Sequence, residues 1–74
     1  MDIYAKKRDK VMVTETTAKN GYEFDSNNVK KYLEVGKEYT VEDTIVDQYH
    51  TTVYLQEIPQ IGFNSVNFED INEI

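Results

Sequence analysis

Apolar positions are densest between Leu33 and Phe68, and there they recur with the period of strands. Leu33-Glu34-Val35-Gly36-Lys37-Glu38-Tyr39-Thr40-Val41 reads as a turn feeding a strand. Gly36 can take positive φ without a Cβ clash, and Tyr39, Val41 and Ile45 fall on one side of an extended backbone. His50 to Glu57 predicts the next strand, because Thr51, Thr52, Val53, Tyr54 and Leu55 favour a pleated chain, with Val53 and Leu55 on one face. Pro59 and Gly62 then bracket a turn. Phe63, Val66 and Phe68 cannot share a face under plain alternation. A 3₁₀ turn at Asn64 to Val66 resolves this by pointing Phe63 and Val66 inward before Phe68 opens a last strand.

The first half is less regular. Lys10 to Thr17 alternates, with Val11 and Val13 against Met12 and Thr14, and predicts the first strand. Asn20-Gly21 is a turn pair suited to positive φ. Asp25-Ser26-Asn27-Asn28 offers consecutive N-cap residues, and Val29, Tyr32 and Leu33 have the i, i+3, i+4 spacing of an apolar helical stripe. A short helix from Asn27 to Leu33 follows, ending before Gly36. The expected core is Val11, Val13, Leu33, Val41, Val53, Leu55, Phe63, Val66 and Phe68. These elements give a mainly β fold of five antiparallel strands with one short helix and a 3₁₀ turn before the last strand.

The diverging turn Leu33-x-x-Gly36-x-x-Tyr39-x-Val41, the two central strands, the 3₁₀ turn and the closing strand together resemble small SH3-like barrels. Val53-Tyr54-Leu55, Pro59 and Phe63-Asn64-Ser65-Val66-x-Phe68-Glu69 also resemble short phage and prophage proteins of Gram-positive bacteria. The resemblance implies a five-stranded SH3-like barrel and leaves function open, since such barrels host unrelated activities. In that fold the stretch between the first two strands carries ligand-contacting loops, so the resemblance makes Tyr22 and Phe24 binding candidates; the alternative is that they cap the barrel.

At 74 residues the chain has room for one domain with a small core, and residues 1–9 read as a solvated segment ahead of the first strand. The absence of cysteine removes disulfides and thiolate zinc sites, which fits a cytoplasmic protein, host-cytoplasmic if phage-encoded. No apolar run is long enough to span a bilayer. Charge is uneven. All eight Lys and Arg lie at or before Lys37, whereas Glu38, Glu42, Asp43, Asp47, Glu57, Glu69, Asp70 and Glu73 follow with no base among them. A net charge of −6 opposes binding to phosphate backbones. It serves solubility, or forms an acidic face for a basic protein surface.

Chemical motifs are lacking. His50 is the sole histidine, and its spacing from Asp43 and Asp47 matches no metal motif. Ser26 and Ser65 sit in no nucleophile elbow, and adjacent acids such as Glu42-Asp43 point to opposite faces of a strand rather than into one acid and base site. Gly21, Gly36 and Gly62 are too far apart for a phosphate loop. The expectation is a protein without catalytic, metal or cofactor residues. Its first reading is a protein-binding module, a phage accessory protein docking on a host or defence protein. The partner-binding residues are Glu38, Glu42, Asp43 and Asp47, with Tyr49, Tyr54 and Tyr22 as aromatic anchors. The alternatives are a protein sequestering a small ligand or nucleotide, and an acidic nucleic-acid mimic. Strand edges leave room for a homo-oligomer.

Overall fold

The computed structural model describes residues 8–71. In chain order it has β1 (Lys10–Met12), a 3₁₀ turn (Thr17–Lys19), α1 (Glu23–Tyr32), β2 (Glu38–Val46) and β3 (Thr51–Leu55). β4 (Ile58–Asn64), a second 3₁₀ turn (Ser65–Asn67) and β5 (Glu69–Asp70) complete it. The strands form one antiparallel sheet in the order β4-β3-β2-β1-β5. A consecutive meander is thus closed by a last strand that returns to the first. Most of the segment expected to be loose, residues 1–9, falls outside the described residues. Its end is tied down: the Arg8 N–H donates to the Val41 carbonyl at 2.7 Å, and the Val41 N–H to the Asp9 carbonyl at 2.8 Å.

Eight of the nine expected core residues are buried, and Ala18, Val29 and Tyr39 join them. Edge-to-face contacts chain Tyr32 to Phe63 and Phe63 to Phe68, which holds α1 against the sheet. Burying Tyr39 requires a partner for its hydroxyl, and the Glu34 N–H donates to it at 2.9 Å. Val66 is the exception, 42% exposed. The turn begins one residue later than expected, so Ser65 and Asn67 point inward in its place. Asn67 has a reason to be there. Its Nδ2 donates to the carbonyls of Thr17 at 2.9 Å and Asn20 at 3.0 Å, acceptors that Val66 could not satisfy.

Ile45 also departs from expectation. The ladder pairs Val41 with Leu55 but Asp43 with Tyr54, so Glu42 is the extra residue of a β-bulge. One inserted residue inverts the side-chain phase, and Ile45 goes to the outer face opposite Thr52. The turn expected around Pro59 and Gly62 lies earlier. Leu55 pairs with Ile58 across Gln56 and Glu57, which leaves Pro59 and Gly62 inside β4. Pro59 is tolerated there because β4 is an edge of the sheet.

β1 ends at Met12 rather than continuing to Thr17. Val13 makes a parallel bridge to Val35, and Thr14 and Thr17 then bond each other, each N–H donating to the other's hydroxyl at 2.8 and 3.0 Å. Hydroxyl side chains that satisfy local backbone in this way compete with a ladder. The helix starts four residues before Asn27. Asp25 does not sit outside the helix as an N-cap; it lies in the first turn, and its carboxylate reaches back to accept the Tyr22 N–H at 2.9 Å. Gly21, just before, has φ +81° and Gly36, just after, φ +85°, both as the turn reading requires.

Candidate functional site

In β3 the residues Thr51, Val53 and Leu55 are buried, so Thr52 and Tyr54 face outward. Residues directly opposite across a ladder share a face. The pairing therefore lays down two outer rows, Asp43-Tyr54-Gly62 and Ile45-Thr52-Asn64. The second row leads to the helix, because the Asn64 amide donates to the Asp25 carboxylate at 3.2 Å.

An open cleft of ≈ 270 Å³ forms where α1 meets this face. Tyr22 and Phe24 wall it on the helix side, 80% and 66% exposed. Asp25 also lines it, although only 7% of its surface is accessible. Across from these, β3 contributes Thr52 with His50 just before it, and β4 contributes Phe63 and Asn64. Gly62 sets the depth at this point. A Cβ built there would lie 2.8 Å from the Thr52 methyl, so any larger residue would crowd the outer face.

The expected partner-binding residues do not all converge. Tyr54 is on β3 opposite the cleft residue Gly62, and Asp43 faces it from β2, one strand further from the cleft. Asp47 and Tyr49 occupy the connection from β2 to β3, closed by the Asp47 N–H donating to the His50 carbonyl at 3.0 Å, and Tyr49 is 88% exposed. Glu42 sits half-buried in the bulge. Glu38 is elsewhere, opposite Met12, which has Glu69 on its other side. The acids spaced along β2 are thus divided between two ends of the sheet. Tyr22 is at the cleft, and Phe24 also lines it.

Asp25, His50, Thr52 and Asn64 were not legible as site residues. Asp25 and Asn64 are 39 positions apart, and only the packing of α1 on β4 joins them. Among the described residues, no group of three His, Asp or Glu side chains is placed to hold a metal ion, and no helix is long and apolar enough to cross a membrane.

The family model for bacteriophage T4 protein Y07B matches residues 2–73, almost the whole chain. The chain belongs to that family. It is accordingly a small phage protein, in agreement with the phage part of the resemblance. No curated protein and no solved structure matches it.

Proposed function

We propose that this member of the bacteriophage T4 protein Y07B family is a non-catalytic accessory protein that docks on a host or defence protein and modulates it. The observation that carries the proposal is the outer face: two exposed aromatic rings at the mouth of a cleft, continuous with a row bearing Asp43 and Tyr54. Large rings held in solvent beside a buried polar group are what an interface centre consists of, and surrounding acids form its rim. A net charge of −6 makes a partner with a basic surface the complementary one. The strand order, with the last strand returning to the first after a 3₁₀ turn, supports the SH3-like reading of the fold. A host-cytoplasmic setting is part of the proposal.

Sequestration of a nucleotide has less support. Pockets that enclose such ligands run from roughly 300 to 1,000 Å³ and bury most of the ligand, whereas this cleft is smaller and open.

The test is affinity capture from phage-host lysate with the native protein, Tyr22→Ala/Phe24→Ala and Glu42→Lys/Asp43→Lys, each verified as folded. The expected result is one host protein retained by the native chain, lost with the aromatic pair and weakened by charge reversal. Retention by both variants would refute docking through this face. Loss on charge reversal alone, with a DNA-binding protein as the captured partner, would replace it with nucleic-acid mimicry.

A further inference from the structure

The cleft has a particular chemical character. Asp25 is more than nine-tenths buried, yet both of its hydrogen bonds, from the Tyr22 N–H at 2.9 Å and the Asn64 amide at 3.2 Å, fall on Oδ2. Oδ1 is left for a donor that enters the cleft. The rings beside it are those of Tyr22 and Phe24, the Phe63 ring being turned into the core, and among the described residues no lysine or arginine lines the space. A carboxylate beside two exposed aromatic rings selects for a cation, through charge-assisted hydrogen bonding and ring faces.

The half-positive N-terminus of α1 acts against this, since its unpaired amides favour anions. It is outweighed locally. Glu23 and Asp25 both stand in the first turn, two full negative charges against about half a positive one. One of those amides, that of Tyr22, is already taken by the Asp25 carboxylate.

We propose that the cleft between the start of α1 and the outer face of β3 and β4 receives one arginine side chain of the partner protein. This rests on the docking function above and names the chemistry of its central contact. Arginine is favoured over lysine because a planar guanidinium stacks on aromatic rings while its fork reaches a carboxylate, and because it is less strongly hydrated than an ammonium. The size agrees, since the cleft accommodates one long side chain and little more. The stem of the arginine would lie along Phe24, with the guanidinium over Asp25 and beside Tyr22.

The experiment is an amide NMR titration of the full chain with three blocked tripeptides, Gly-Arg-Gly, Gly-Lys-Gly and Gly-citrulline-Gly. One isolated side chain binds weakly, so the expected dissociation constant for the arginine peptide is on the order of millimolar. Shifts should be confined to Tyr22–Asp25, His50–Thr52 and Gly62–Asn64, with the lysine peptide weaker and citrulline at least about tenfold weaker. Asp25→Asn, which keeps the shape of the cap, should weaken arginine binding by about tenfold or more. Phe24→Ala should do the same at an exposed position that does not threaten folding. Equal binding of citrulline and arginine, shifts mapping elsewhere, or no shifts at all would overturn the arginine assignment. If no shifts occur while Tyr22→Ala/Phe24→Ala still abolishes capture, the docking function stands and only the arginine is wrong.

Discussion

Gly36 has φ +85° and no atom within 4 Å of where a Cβ would be, so alanine there meets backbone strain and nothing else. Gly36→Ala should therefore cost about 1 kcal/mol, the penalty for an L-residue in left-handed conformation, read as a lowered urea midpoint. Gly21 has a similar φ of +81°, but a Cβ would lie 2.7 Å from the Asp25 Oδ2. Gly21→Ala should cost more than Gly36→Ala, because it adds displacement of the carboxylate that caps α1 and lines the cleft. Asn67 supplies a second contrast at this scale. Removing its amide strands the Asn20 carbonyl and takes one of two donors from that of Thr17, which keeps the Asn20 N–H, so Asn67→Ala should cost about 1 kcal/mol or more. Val66→Ala next to it, at an exposed site, should stay within about 0.5 kcal/mol. If the two losses measured by denaturant melts were reversed, the inward residue of this turn would be the valine that hydrophobicity alone nominates.

Among the elements, β3 is paired on both sides and buried at every second residue. Leu55 is fully buried within it, and Leu55→Ala should cost about 2 to 5 kcal/mol, enough to leave a domain of this size largely unfolded near 37 °C by circular dichroism. The bulge opposite is held by a polar cluster joining three elements. The Thr40 N–H of β2 donates to the Glu57 carboxylate at 2.9 Å, and the Lys10 ammonium of β1 donates to the Thr40 hydroxyl at 2.7 Å. Burial pushes the Glu57 carboxyl up, but bonds from the Thr40 N–H, its own N–H and the Thr40 hydroxyl, with the Lys10 charge, hold it net below the ordinary 4.5. A carboxylate with a depressed folded-state pKa stabilises fully above its unfolded value and loses that contribution as pH falls through the folded one. The native protein should therefore exceed Glu57→Gln in melting temperature at pH 7, by a margin that narrows below pH 4.5. A margin independent of pH would remove the carboxylate from the account. Because Glu57 is exposed, the gain is small.

For the whole molecule, charge and aromatic contacts predict different kinetics. Acids at the rim accelerate encounter, so Glu42→Lys/Asp43→Lys should lower the association rate of the captured partner and flatten its salt dependence, with dissociation little changed. Tyr22→Ala/Phe24→Ala removes the interface centre and should instead speed dissociation, a shift that surface plasmon resonance resolves. Identical effects of the two variants would mean that acids and rings act as one site. The division of the β2 acids adds a control. Glu38, opposite Met12 near Glu69 and remote from the cleft, should tolerate Glu38→Lys without loss of association rate.

What the sequence determined was whatever depends on near neighbours along the chain. Alternation at Val53 and Leu55, the i, i+3, i+4 stripe of Val29, Tyr32 and Leu33, and the positive-φ glycines 21 and 36 are local signals, and the strands, the helix and the turns they predict are present. The phage resemblance and the one-sign second half were legible in the same way. Tertiary structure decided the phases and the meetings. A single extra residue at Glu42 sends Ile45 outward, since nothing in a strand pattern announces where a partner's register will slip. Asn67 displaces Val66 because its amide bonds two carbonyls on a distant turn, of which that of Asn20 has no other donor among the described residues. The cleft was illegible for the same reason: it exists only where Asp25 and Asn64 meet, and a carboxylate's surroundings are fixed by packing rather than by the residues beside it in the chain.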